Sequence, residues 1–142
     1  VAGRAGRSPL GGCAILQTFQ PDHYAIQSAS QHDYPGFYQS ELSFRRRLKY
    51  PPFSRLIRLE FRDLKQYKAE SSAVELSNQL RRWIAQGRHR FTDMIGPAPC
   101  FFSRVSGYYR WQIVLRGPDP AAVLRDKNLG EARIEVDPIS LL

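Results

Sequence analysis

The sequence predicts an α+β fold in which a four-stranded sheet carries two helices on one face. Ile57, Leu59 and Phe61 alternate with charged residues, which is typical of a half-buried strand. A second alternating run, from Tyr109 to Leu115, follows the tight turn at Ser106-Gly107 and predicts a hairpin. A helical apolar stripe lies between these two regions. The resulting order is strand, helix, hairpin, helix, strand, which is that of a ferredoxin-like βαββαβ sandwich.

Each helix and strand of this domain is predicted from a local feature of the sequence. The first strand is predicted from Arg55 to Phe61, after an elbow at Pro51-Pro52, because proline lacks the amide donor that would continue a helix. Asp63, with Gln66 three residues on, predicts a capped helix to about Gln86, closed by Gly87. The core stripe of that helix is predicted to be Ala73, Leu76, Leu80, Trp83 and Ile84. A short helix from Pro120 to Lys127, capped by Asp119, and a last strand from Arg133 to Val136 complete the order.

The first third of the chain is organised differently. A continuous apolar run from Gly12 to Phe19 predicts a central strand of a parallel sheet. Two helices are predicted after it, one capped by Asp22 and one from about Tyr34 to Leu48. We therefore divide the chain into residues 1–50 and an α+β domain at 51–142.

Composition favours a polyanionic partner. The 142 residues carry a net charge of +8 and give a pI near 9.9. No apolar run is long enough to span a bilayer, which predicts a cytosolic protein. Cys13 and Cys100 have no CxxC partner and the histidines have no matching ligands, so no metal site is predicted.

Four segments carry a family resemblance: HDYPGFYQSEL from His32, LKYPPFSRLIRL from Leu48, GYYRWQIVL from Gly107 and EVDPISLL from Glu135. In this order and spacing they resemble the C-terminal region of the PriA family, the bacterial primosomal protein N′ DNA helicases that restart replication. The resemblance covers Val1 to Leu142.

The first seven residues, VAGRAGR, resemble motif VI of superfamily-two helicases. The resemblance implies that Arg4 and Arg7 are catalytic and that both contact ATP phosphates together with Gly3 and Gly6. A planar guanidinium can contact phosphate oxygens bidentately and keeps its proton, and glycine lets the backbone come close. Residues 1 to about 19 are accordingly expected to be the end of a second RecA-like helicase lobe.

The family implies an ATP-dependent 3′-5′ helicase that recognises abandoned replication forks and initiates primosome assembly in the bacterial cytoplasm. Its expected partners are forked and single-stranded DNA, single-stranded DNA-binding protein and other primosome proteins. ATP and Mg²⁺ are expected in the intact protein. Zinc is expected in a region of the family's proteins that lies outside this chain. This segment lacks a P-loop and is predicted to be inactive alone.

The sheet face opposite the helices is predicted to be open and mainly basic. Alternation places the following residues on it: Arg58, Glu60, Arg62, Arg110, Gln112, Val114 and Arg116. The candidate DNA-contacting residues, chosen to bind phosphates without reading bases, are Arg58, Arg62, Arg104, Tyr108, Arg110 and Arg116. One alternative is solvated arginines with no nucleic-acid role. Another is a stand-alone single-stranded RNA-binding module, which would require Tyr109 and Trp111 to face outward.

The motif VI assignment is testable in the full-length protein. Arg7→Ala should lower DNA-dependent ATP hydrolysis by about a thousandfold or more, because a guanidinium that neutralises transition-state charge is lost. DNA binding should stay nearly intact. Phosphate-release assays and binding assays on the same preparation separate the two effects, and unchanged hydrolysis would remove the motif VI assignment.

Overall fold

The computed structural model of the chain describes residues 13–87 and 89–139. The chain divides into two compact units, Val1–Leu42 and Ser43–Leu142. The sequence-based boundary after residue 50 stays a prediction.

In the first unit the predicted strand is absent. Residues 13–19 form no regular secondary structure, and Ile15 and Phe19 are exposed. A strand needs a neighbour to bond its amides, and the described part of this unit supplies none. Helix α1, Tyr24–Ser30, begins after His23, whose Nδ1 accepts a hydrogen bond from the Ala25 amide, so the predicted cap at Asp22 is wrong.

Helix α2, Tyr34–Leu48, has the predicted bounds. Within the first unit, the Tyr24 hydroxyl donates a hydrogen bond to the Glu41 carboxylate, and the Tyr24 and Phe37 rings stack with centroids 6.2 Å apart. Aromatic packing therefore holds α1 against the first part of α2.

The second unit contains an antiparallel four-stranded sheet. Its strands are β1 (Arg55–Asp63), β2 (Asp93–Val105), β3 (Tyr108–Gly117) and β4 (Arg133–Val136). They lie in the order β2-β3-β1-β4, with Leu59 of β1 opposite Ile113 of β3 on one side and Ile134 of β4 on the other. The α+β class and the order of elements agree with the sequence analysis.

Two helices connect these strands. Helix α3 spans Gln66–Gln86 and ends at Gly87, whose amide donates to the Trp83 carbonyl at 2.9 Å. The predicted capping box is wrong, because Asp63 ends β1 and its carboxylate accepts from the Lys65 amide instead. Helix α4 is only Ala121–Leu124, shorter than predicted, and Asp126 beyond it has a left-handed φ of 56°. The Asp119 carboxylate does accept from the Ala122 amide, at 3.3 Å.

The core lies between α3, α4 and one face of the sheet. Its buried members are Ile57, Leu59, Phe61, Ala73, Leu76, Leu80, Ile113, Leu115 and Val123. Trp83 and Ile84 pack against this cluster while partly exposed, so the predicted stripe of α3 is confirmed. The odd-numbered residues of β1 and β3 thus face the helices, and the even-numbered residues lie on the opposite face.

Leucine truncation tests this core. Leu59→Ala should cost about 3 kcal/mol of unfolding free energy, because Leu59 is fully buried on a central strand and its loss leaves a cavity. Leu64→Ala, the matched control, removes the same atoms from an exposed side chain and should change stability by less than about 0.5 kcal/mol. Urea unfolding of both variants measures the difference, and equal costs would contradict this core.

Candidate nucleic-acid interface

The sheet face opposite the helices carries the predicted residues, but much of it is closed to solvent. Glu60 of β1 and Val114 of β3 are buried on this face. The side chains of Arg58 and Arg110 retain only 12% and 16% of their exposure, whereas that of Arg62 retains 40%. The expectation of an open basic face is therefore wrong over its centre, because the arginines fold onto acidic neighbours.

Glu60 is the carboxylate that three of these arginines contact. Arg110 donates from Nε to Oε1 at 3.0 Å and from Nη2 to Oε2 at 2.6 Å, a bidentate contact between β3 and β1. Arg58 and Arg62, two residues away on either side along β1, each place a nitrogen 3.7 Å from the same carboxylate. We call these four residues the Glu60 cluster.

The charges in this cluster hold Glu60 ionised. Burial by itself raises the pKa of Glu60, but the hydrogen bonds from Arg110 and the charges of Arg110, Arg58 and Arg62 outweigh it. The net pKa of Glu60 lies below its usual value. The same contact raises the pKa of Arg110. The pair is thus charged across the ordinary pH range.

Arg58 extends the cluster to the neighbouring edge strand. Its Nη2 donates to Glu135 of β4 at 2.7 Å. Its Nε and Nη1 are buried without a hydrogen-bond partner among the described residues, a costly state for a guanidinium. On the β2 side lies the Cys100 thiol, whose pKa is raised by burial and by the Glu60 charge. Arg58 is therefore largely buried, and its contacts are with carboxylates of the protein itself.

Arg116 lies at the other end of the sheet, opposite Leu56. Its Nη1 donates to the Leu48 carbonyl at 2.8 Å and its Nη2 to Asp93 at 3.3 Å, and its guanidinium lies over the Tyr50 ring. Lys49 places its amine 3.7 Å from the same Asp93 carboxylate. Arg116 therefore ties the end of α2 and the elbow to the sheet.

The remaining candidates lie at the tip of the β2–β3 hairpin. Arg104 and Tyr108 are exposed there. The guanidinium of Arg104 lies 5.0 Å from the Tyr109 ring centroid, and that of Arg62 lies 5.3 Å from the Tyr108 centroid. Arg62 contacts Tyr108, and Arg104 contacts the neighbouring Tyr109. Arg62, Arg104 and Tyr108 are the exposed candidates at this end of the sheet, and we call them the hairpin triad.

The positions of the aromatic residues of β3 test the alternative of an RNA-binding module. Trp111 packs against the core, on the helix side of the sheet. Tyr109 is partly buried under Arg104. The outward pair of aromatics that the RNA-binding arrangement requires is therefore not formed by these residues.

Several sequence-based assignments fall outside this geometry. Gly3, Arg4, Gly6 and Arg7 lie outside the described residues. Within residues 13–87 and 89–139, no group of three or more His, Cys, Asp or Glu side chains could hold a metal ion. No helix in the described ranges has the length and apolar character of a membrane span.

Sequence reasoning missed the central role of Glu60 and the exposure of Phe101 and Phe102. The isolated acid in a run of arginines was a signal for the first. The adjacent phenylalanines next to the hairpin turn were a signal for the second, although alternation alone would place one of two neighbours in the core.

Comparison with known families defines the class of protein. Residues 46–139 match the model of the primosomal protein N C-terminal domain, which is well over half of the chain. The chain belongs to the PriA family of replication restart proteins.

Three relatives illustrate the likeness, all described as replication restart protein PriA. The Treponema pallidum protein is 42% identical over 118 residues, covering 83% of this chain and 17% of the relative. The Synechocystis protein is 32% identical over 149 residues, covering 99% and 17%. The Bacillus subtilis protein is 34% identical over 116 residues, covering 82% and 14%. This chain therefore spans less than a fifth of the length of these relatives.

The Glu60 cluster should make stability depend on pH. The folded-state pKa of Glu60 is lowered, so its contribution is complete above the unfolded-state pKa of about 4.3 and is lost as pH falls through the folded-state pKa. Glu60→Gln should cost about 3 kcal/mol at neutral pH, since it leaves three guanidiniums without their carboxylate. The variant should also lose less stability than the wild type on acidification below about pH 4.5.

Glu135→Gln is the matched control. It removes the same charge from a carboxylate that is 45% exposed, and should cost less than about 1 kcal/mol. Urea unfolding of both variants across pH 3 to 7 provides the comparison. Equal costs for the two substitutions would show that Glu60 does not organise the face.

Proposed function

We propose that this chain is the C-terminal part of an ATP-dependent 3′-5′ DNA helicase that recognises stalled or abandoned replication forks and initiates primosome assembly. Membership of the PriA family supports the restart role. The observation that carries the DNA-binding part is the hairpin triad, in which two accessible guanidiniums lie over tyrosine rings at one end of the sheet. The net charge of +8 favours the same polyanionic partner.

In this proposal the hairpin triad contacts phosphates and the Glu60 cluster supports it. Arg58, Arg110 and Arg116 already donate to carboxylates or a carbonyl, so a phosphate would have to compete with internal partners. Arg62 is the exception in the Glu60 cluster, because its contact with Glu60 is long and its side chain is accessible. Because Arg62 Nε lies 3.7 Å from Glu60 Oε1, its guanidinium is free to contact a phosphate oxygen as well.

The elbow supplies a second group of cations. The Arg46 guanidinium lies 4.8 Å from the Phe53 ring centroid, and that of Arg47 lies at the same distance from the Phe44 centroid. Both arginines are exposed. Arg116 and Lys49 link the adjoining end of α2 to the sheet, so these cations belong to the second unit.

The nucleotide part of the proposal rests on the family pattern. Arg4 and Arg7, with Gly3 and Gly6, would contact ATP phosphates in the intact protein, with Mg²⁺ held elsewhere in it. Zinc would lie outside this chain. The proposal places the protein in the bacterial cytoplasm, with forked and single-stranded DNA, single-stranded DNA-binding protein and other primosome proteins as partners.

The finer fold assignment is also part of this proposal. Strand order β2-β3-β1-β4, with antiparallel neighbours and α3 against three strands, supports a ferredoxin-like sandwich. We assign residues 1 to about 19 to the end of a second RecA-like helicase lobe on the GRAGR pattern alone.

A salt series tests the phosphate contacts. Arg62→Ala with Arg104→Ala should weaken binding to any single-stranded DNA sequence and flatten the slope of log affinity against log salt by about 1.4, since about 0.7 is lost per phosphate contact. Arg125→Ala is the matched control, because this exposed arginine is salt-bridged to Asp119 beyond the hairpin. Fluorescence anisotropy gives both quantities, and a wild-type slope in the double variant would rule out the hairpin triad as the phosphate site.

A further inference from the structure

The β2–β3 hairpin contains an irregularity that exposes two phenylalanines. Pro99 is opposite Trp111, and Arg104 is opposite Tyr109. Four residues of β2, Cys100 to Ser103, therefore lie opposite Arg110 alone. Such bulges disrupt the ladder locally and re-aim side chains.

The residues inside this bulge differ sharply in environment. Cys100 is buried, whereas Phe101 and Phe102 retain 70% and 58% of their exposure. Their rings meet edge to face with centroids 5.0 Å apart and an interplanar angle of 89°. Exposure alone decides nothing, since Tyr67 and Leu64 are also exposed. What distinguishes this pair is that the two rings contact each other and lie in the same strand as Arg104 of the hairpin triad.

The base of the bulge is anchored. Arg110, the residue opposite it, is held at both nitrogens by Glu60, and Cys100 packs beside the same cluster. The strand opposite the two rings is therefore fixed to β1. The contact between the rings restricts them further, and a stacking surface that is restricted before binding loses less conformational entropy on binding.

Charge selects the kind of partner. No acidic residue occurs between Asp93 and Asp119. The accessible cations at this end of the sheet are Arg62 and Arg104, since Arg110 and Arg116 are paired with Glu60 and Asp93. Aromatic rings among cations suit a polyanion that has π faces, and single-stranded DNA combines both.

We propose that Phe101 and Phe102, together with Tyr108, stack on unpaired bases of single-stranded DNA. This proposal rests on the proposed DNA-binding function and adds base stacking to the phosphate contacts of Arg62 and Arg104. Stacking does not read base edges, because every base has a π face, so the surface accepts any sequence. It would hold bases that have left the duplex at a fork.

The test compares two probes of equal length and charge: a fluorescent oligothymidylate and an abasic oligomer. The full 142-residue chain should bind the oligothymidylate about tenfold or more tightly than the abasic strand, since stacking is worth about a factor of ten or more per base. Phe101→Leu with Phe102→Leu keeps apolar side chains but removes the π faces. This variant should lose most of that preference, with abasic binding and the salt slope unchanged.

Phe91→Leu is the matched control. Phe91 is also exposed but precedes β2, near Gly117 at the opposite end of the hairpin. It should bind both probes as the wild type does. Quenching of a 2-aminopurine base in the strand gives a second readout, which the wild type should show and the double variant should lose.

Four outcomes would overturn the proposal. If the double variant keeps the wild-type preference, the phenylalanines do not stack on bases. If the wild type binds both probes equally with a steep salt dependence, the phosphate contacts stand and only stacking fails, whereas binding to neither probe defeats the proposed function as well. If the double variant instead changes only self-association in sedimentation, the rings form a protein contact.

Discussion

The carboxylate of Glu60 is the charge on which this face of the domain depends. It lies on a central strand, almost without solvent, and three guanidiniums approach it from two strands. Burying the Glu60 carboxylate is costly. Burying the neighbouring guanidiniums without that carboxylate would be more costly. The bidentate contact with Arg110 offsets that cost and joins two strands whose contacting residues are 50 positions apart in the chain.

This arrangement divides the arginines into two groups. Those paired with carboxylates, Arg58 and Arg110, stabilise the sheet. Arg58 contacts Glu135 and Glu60, and Arg110 contacts Glu60. Those at the hairpin end, Arg62 and Arg104, lie over tyrosine rings and keep part of their surface in water. A basic composition alone therefore overstates the charge available to a ligand, because a paired guanidinium contributes little net field.

The Glu60 cluster also lies next to the bulge of the β2–β3 hairpin. Arg110 lies opposite the bulge, and its contact with Glu60 fixes the strand that faces Phe101 and Phe102. Asp137 plays a comparable part beyond β4. Its carboxylate accepts from Arg55 and from the Leu56 amide, and these hydrogen bonds lower the pKa of Asp137. The start of β1 is thus held by Asp137, and its second half is held by the Glu60 cluster.

The order of elements, the bounds of α2 and β4 and the core stripe of α3 could be predicted from the sequence, because each depends on local periodicity or on proline and glycine. The strand predicted at residues 12–19 failed because strand formation needs a neighbour, which local pattern cannot supply. Alternation correctly placed Arg58 and Arg110 on one face. Only the tertiary structure decided that they turn inward to Glu60 and that Phe101 and Phe102 turn outward. Both outcomes depend on the register between β1, β2 and β3, and register is a relation between distant segments that no single stretch of sequence encodes.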